Sequence, residues 1–274
     1  MTLLFTFKYN IIIKCVLLVA ICEASKSGKS FLDGADSCRE IKEHFSQSLS
    51  GLYWIKKYDQ SHTLTGVERQ YCDMETERCG IKGGWTRVAD LDMTQDSQTC
   101  PGNLEVTTSP SRMCRQPHTH AGCTTVIYRL HNMAYSRVCG RAIGYGCGGT
   151  DSIRHSTSQI NDPYVDGISI THGVPRKHIW TFAADYSSRC PRAVPPSVGS
   201  DWFCETTGTL RCLKTQLWDG LNCVKSNDCS KSGQPWFCRT FPVATTDDID
   251  VRICRDDVRS DEEVGLEQLE LYDY

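Results

Sequence analysis

The apolar and polar positions of this chain trace short strands broken by glycine and proline, with one helix near the start. The first apolar run, residues 15–22, follows Lys8 and Lys14 and closes on Cys22-Glu23-Ala24. A basic lead, an apolar stretch and a small residue at the cut make a secretory signal, so residues 1–24 are expected to be a signal peptide cleaved after Ala24. The competing reading is a signal anchor over residues 3–22, which Lys8, Asn10 and Lys14 interrupt with groups costly at mid-bilayer. No later apolar run has spanning length, so no membrane span is expected after signal removal. Residues 25–35 are small and polar and read as a flexible leader.

From Asp36 the pattern becomes structured. Ile41 and Phe45 lie four apart, as on one helix face, with Asp36 or Ser37 as N-cap and Ser50-Gly51 as a break. Leu52-Tyr53-Trp54-Ile55 reads as a strand, with Val67-Glu68-Arg69-Gln70-Tyr71-Cys72 as its partner. Gly80, Gly83 and Gly84 punctuate the chain before a strand that begins at Trp85 and reaches Asp90. Residues 94–149 read as loop-rich, with a strand over residues 124–130. Residues 164–171 and 178–183 flank His172-Gly173-Val174-Pro175-Arg176 as a hairpin. Residues 190–254 hold seven cysteines beside Trp202, Trp218 and Trp236, a density typical of small modules that need covalent staples.

Cysteine content changes the picture most. There are 17 in 274 residues, which points to an oxidising compartment and to a secreted, extracellular protein. Cleavage after Ala24 leaves 15, an odd number, predicting one thiol available for a disulfide-linked dimer; cleavage after Ala20 would retain Cys22 and make the count even. The expected disulfide set is Cys38, Cys72, Cys79, Cys100, Cys114, Cys123, Cys139, Cys147, Cys190, Cys204, Cys212, Cys223, Cys229, Cys238 and Cys254. The formal net charge of −3 supplies no basic field for nucleic acid. Charge is uneven, however. Residues 256–274 carry Asp256, Asp257, Asp261, Glu262, Glu263, Glu267, Glu270 and Asp273 against one arginine. They read as a solvated, mobile acidic tail and a weak calcium-associating surface, with solubilisation as the plainer role.

Candidate chemistry is sparse. Cys114, His118, His120 and Cys123 have the spacing of a tetrahedral zinc site, but zinc needs thiolates, and disulfides compete for them outside the cell. His172 and His178, with Asp166, Asp185 and Ser169, suggest a hydrolase trio but lack any catalytic signature such as Gly-x-Ser-x-Gly. Asp247, Asp248 and Asp250 offer calcium oxygens without EF-hand spacing, and read better as groups that cap or flank a strand over residues 250–253. The tryptophans would serve either as a glycan platform or as a small core. No N-x-[ST] sequon and no Arg-Gly-Asp tripeptide is present. No catalytic residue, specific metal or cofactor is therefore assigned.

Asp36-Ser37-Cys38-Arg39-Glu40-Ile41, Ser50-Gly51-Leu52-Tyr53-Trp54-Ile55, Tyr71-Cys72-Asp73-Met74-Glu75 and Gly83-Gly84-Trp85-Thr86-Arg87-Val88 resemble, in order, the opening of a fibrinogen C-terminal domain. The resemblance implies a Cys38–Cys72 disulfide. It stops after Asp92, so the family's calcium and acetyl-group sites carry over to no residue. Cys139-Gly140-Arg141, Tyr164-Val165-Asp166-Gly167-Ile168-Ser169-Ile170-Thr171-His172-Gly173, His178-Ile179-Trp180-Thr181-Phe182, Leu217-Trp218-Asp219-Gly220, Pro235-Trp236-Phe237-Cys238 and Thr246-Asp247-Asp248-Ile249-Asp250-Val251-Arg252-Ile253-Cys254 look like a secreted cnidarian and marine-invertebrate family, which includes the uncharacterised skeletal organic matrix proteins of corals. The chain departs from that family at Cys190-Pro191-Arg192, where relatives show Cys-Pro-Cys, and at Cys229-Ser230, where they show a cysteine pair; Cys147 and Cys212 are extra.

These readings predict an α+β, strand-dominated, disulfide-rich fold. They divide it into a fibrinogen-like segment (36–95), a cysteine-rich body (96–255) and the acidic tail (256–274). The resemblances imply a non-enzymatic extracellular matrix protein, with matrix components or a mineral surface as partners. A fibrinogen-related lectin and a secreted hydrolase are the alternatives.

Overall fold

The computed structural model describes residues 27–108, 111–147, 167–183, 236–255, 258 and 263–274. Strands dominate it, and it divides into two compact units. The described residues of the first are 27–87, 131–134 and 273–274; the rest form the second.

The first unit is built round one helix, α1 (Cys38–His44). Ser37 caps it: its hydroxyl accepts from the Glu40 N–H at 3.0 Å, and the Glu40 carboxylate accepts from the Asp36 N–H at 2.8 Å. Cys38 and Ile41 face inward onto Tyr53, Ile55, Cys72 and Met74, with Phe45 against the cluster. Strands β1 (Gly51–Tyr58) and β2 (Leu64–Asp73) pair antiparallel, Leu52 opposite Tyr71 and Trp54 opposite Arg69. Cys38 and Cys72 are disulfide-bonded, closing a 34-residue separation worth about 4 kcal/mol of unfolded-chain entropy. The ribbon of β3 (Glu77–Arg78) and β4 (Ile81–Lys82) follows. At Gly83 φ is +72°, and a Cβ there would stand 2.1 Å from the Met74 carbonyl oxygen, so only glycine fits. Strand β5 (Trp85–Asp92) starts here, with Thr86 opposite Cys72.

The leader is not flexible where the structure describes it. Trp54 donates its N–H to the Gly28 carbonyl and Lys56 donates to that of Ala35, which is fully buried and bridges to Ile55. Its small residues let the backbone lie against β1, a close approach that composition alone reads as looseness.

The second unit takes up the rest of β5, then β6 (Glu105–Thr107), β7 (Met113–Arg115), β8 (Gly122–Tyr128) and β9 (Tyr135–Cys147). The supposedly loop-rich middle thus holds four strands, whose polar exposed positions hid their alternation. The expected hairpin forms from β10 (Gly167–His172) and β11 (Lys177–Ala183). After β12 (Phe237–Thr245) and β13 (Ile249–Arg255), an antiparallel sheet closes in the order β11-β10-β13-β8. Ile168, Ile170, Ile249, Val251 and Ile253 from this sheet enter the core. Cys100–Cys114 ties the approach to β7, and Cys123–Cys254 ties β8 to β13 across 131 residues. Cys79 and Cys238 are also disulfide-bonded, and Cys139 is buried in β9.

The largest correction concerns the acidic tail. Most of it is a strand, β14 (Glu263–Asp273), pairing with β7 and with β9. Val264, Leu266, Leu269, Leu271 and Tyr272 are buried. Net charge suggested solvation, but Val264-x-Leu266 and Leu269-x-Leu271 carry the two-residue period that fills one strand face. The boundary at 95/96 also moves: β5 passes between the units at Arg87 and Val88, and residues 131–134 and 273–274 belong to the first unit. Among the described residues no helix is long and apolar enough to cross a membrane.

Candidate functional site

The zinc-spaced residues are drawn into other bonds. Cys114 pairs with Cys100 and Cys123 with Cys254, which removes the thiolates a zinc ion would need. His118 accepts from Arg255 through Nδ1, while His120 is exposed and meets the Thr119 hydroxyl at 3.0 Å.

A second constellation gathers round His172, at the end of β10. Its Nδ1 lies 3.0 Å from Asp247 Oδ2, and its ring lies 4.6 Å from that of Phe241. Thr245 donates to the same oxygen at 2.6 Å, and Tyr135 donates to the Asp247 carbonyl at 3.0 Å. Burial alone would raise the Asp247 carboxyl; the bonds from Thr245 and His172, with the nearby charges of His172 and Lys177, outweigh it and hold the group below its ordinary range. Sequence reading offered Asp166 and Asp185 as nearby acids while favouring a structural role for the histidines; both acids lie outside the described residues. It missed Thr245, whose hydroxyl also accepts from the Asp247 N–H in a local turn signalled by Thr245-Thr246-Asp247.

Ser169 does not join His172. The two are three apart on a strand in unbroken register with β13, so their side chains leave opposite faces. Thr245 hydrogen-bonds the carboxylate, at the oxygen that meets His172 Nδ1, whereas a nucleophile must meet the other ring nitrogen. The side chain of His178 lies outside the described residues. The group functions as a brace that pins the hairpin end to the approach to β13.

The neighbouring acids brace the fold too. Asp248 accepts from the Leu130 N–H at 2.8 Å, and Asp250 pairs with Arg176 at 2.9 Å. They hold strand ends, as their sequence position suggested, and do not converge on one point. Arg252 lies beyond Asp250, its guanidinium pushed down to about 10 by burial and then by the Arg176 charge, against the Asp250 charge.

Three acids of the proposed cation surface have described side chains, and each has another place in the fold. Glu267 accepts from Ser111, Glu270 pairs with Arg141 at 2.8 Å, and Asp273 is buried. Asp256, Asp257, Asp261 and Glu262 lie outside the described residues, as do the Glu263 side chain, Trp202 and Trp218, and Cys190, Cys204, Cys212, Cys223 and Cys229. Cys147 ends β9, its side chain likewise outside them. Trp236 lies partly buried with its ring 5.9 Å from that of Tyr272.

Compared with known proteins, the chain matches no family model and no curated protein.

Proposed function

We propose that this chain is a secreted, non-enzymatic protein of an extracellular matrix, held in shape by disulfides and suited to a calcified skeletal matrix. The carrying observation is covalent: Cys38–Cys72, Cys100–Cys114 and Cys123–Cys254 fasten elements that would otherwise be loops or edges. Such bonds persist in oxidising surroundings. The resemblance to the secreted cnidarian family supplies the matrix setting, and the Ser37-capped helix bonded to β2 supports the fibrinogen-like reading of residues 36–95. The His172–Asp247 pair supports the non-enzymatic reading, because its hydroxyl neighbour binds the carboxylate rather than the imidazole.

The test is non-reducing peptide mapping and thiol titration of protein secreted from eukaryotic cells. The three cross-linked peptides are expected, with an N-terminus near Ser25. Retention of the chain inside the cell, or mostly titratable thiols, sinks the reading.

A further inference from the structure

One turn at the start of the first unit presents its largest side chains to solvent. Phe31–Asp33 is a single 3₁₀ turn in which Phe31 is 60% exposed and Leu32 93% exposed. The turn is fixed although its tip is bare. Asp33 accepts from the Ser27 hydroxyl at 2.6 Å, and from the Ser30 hydroxyl and N–H at 2.8 and 3.0 Å. The backbone on either side is bonded to β1: the Trp54 N–H donates to the Gly28 carbonyl at 2.7 Å, and the Ala35 N–H to the Trp54 carbonyl at 3.0 Å. Gly34 lies so close to β2 that a Cβ there would stand 2.6 Å from Val67 Cγ1. Phe31 meets the half-buried Trp54 edge-on at 5.4 Å. Leu52, on the same face of β1 as Trp54, is exposed as well.

We infer that this turn inserts into the interfacial layer of a phospholipid bilayer, with Leu32 and Phe31 as the inserted tip and the Trp54 ring behind them. Area argues against a protein as the occupant. Two side chains on one turn, with parts of Leu52 and Trp54, offer roughly a few hundred square ångströms, against about 800 Å² per partner in a stable protein interface. A bilayer needs no matching surface, only apolar groups that reach about 5–10 Å into the headgroup boundary. Tryptophan suits that boundary, having an apolar ring and one N–H donor. Because the turn is already held by Asp33 and β1, insertion orders little additional chain. The charges around the tip are mixed. Lys29 is exposed beside it, and Arg69 stands opposite Trp54. Asp33 is turned onto Ser27 and Ser30. Asp36 is half-exposed, pairs with Lys56 at 2.9 Å and accepts from the Tyr58 hydroxyl, while Glu40 accepts from the Asp36 N–H. Apolar insertion rather than lipid charge therefore drives the contact. Its strength is that of a weak, reversible anchor, no tighter than the roughly 10⁴ M⁻¹ of one myristoyl chain. The inference goes beyond the matrix reading, and binding is measured on purified protein, so each stands or falls separately.

The experiment is sedimentation of the full mature chain with two kinds of vesicle, pure phosphatidylcholine and the same lipid with about a third phosphatidylserine, at low and high salt. Weak binding to both vesicles is expected, with little dependence on salt. Leu32→Asp is expected to weaken it at least tenfold, and Leu32→Phe to retain it. Vesicles carrying brominated acyl chains are expected to quench part of the tryptophan emission, and Trp54→Phe to remove that part. Circular dichroism and the intact Cys38–Cys72 bond show that the variants are folded. Four results overturn the proposal: no binding to either vesicle, binding confined to the anionic vesicle and abolished by salt, unchanged binding of folded Leu32→Asp, or a Leu32-dependent dimer in sedimentation velocity without lipid.

Discussion

Asp273 closes β14 in a place where a carboxylate is out of solvent. Burial pushes its carboxyl up to about 7, against the hydrogen bond with Thr86, which pulls the other way. Because the folded value lies above the unfolded one, the protonated form stabilises the fold. That contribution is complete below about pH 4 and is lost as pH rises to about 7. The wild type should therefore melt lower as pH climbs from 4 to 8, by a free energy on the order of 4 kcal/mol at most. Asp273→Asn cannot ionise, so its thermal melts should be flatter over that range. A matching slope in both proteins would remove Asp273 from the account. Asp247 behaves oppositely, since its partners prefer the charged form. Asp247→Ala leaves Thr245 and His172 without their acceptor and should cost about 2–3 kcal/mol in denaturant titrations. The aspartates looked alike in the sequence because their roles depend on which backbone turns around them.

Strand β14 shows how an element can be hidden by its charge. Eight acids across residues 256–274 masked the alternation of Leu269 and Leu271, both fully buried. Leu269→Ala should destabilise the protein by about 2–5 kcal/mol, the cost of a buried cavity, while a solvated tail would tolerate it within error. The same strand changes how calcium association is to be tested. Deleting residues 256–274 would remove a core strand, so a loss of binding would report unfolding. Replacing Asp256, Asp257, Asp261 and Glu262 with their amides leaves β14 intact. Equilibrium dialysis should then show weaker calcium uptake with an unchanged melting temperature; unchanged uptake would locate any calcium association elsewhere. The helix and the β1, β2 and β5 strands were legible because a cap, a glycine break and period-two alternation coincide there.

Across the whole molecule, cross-links do what core size alone does in a larger domain. Cys123–Cys254 closes a separation of 131 residues, and its loop-entropy contribution is about 5 kcal/mol. Changing both cysteines to serine should lower the melting temperature more than removing Cys100–Cys114, whose 14-residue separation is worth about 3 kcal/mol. Equal shifts in differential scanning calorimetry would mean that native strain or residual unfolded structure, rather than loop length, sets the stability. The division of the chain also belongs to this scale. Residues 131–134 and 273–274 join the first unit although one group lies mid-chain and the other at the close of β14.

The amino-acid sequence by itself determined the local elements and the need for oxidised sulfur, because helix caps, turn glycines, strand alternation and cysteine number act over a few residues or by count. Its motifs also placed Cys38 with Cys72 through a family resemblance. Only the tertiary structure decided that an acidic segment is a core strand, that Cys114 and Cys123 face disulfide partners rather than a metal, and that His172 meets Asp247. These are pairings between distant residues, and their energy comes from removing apolar and charged groups from water together, which no local pattern records.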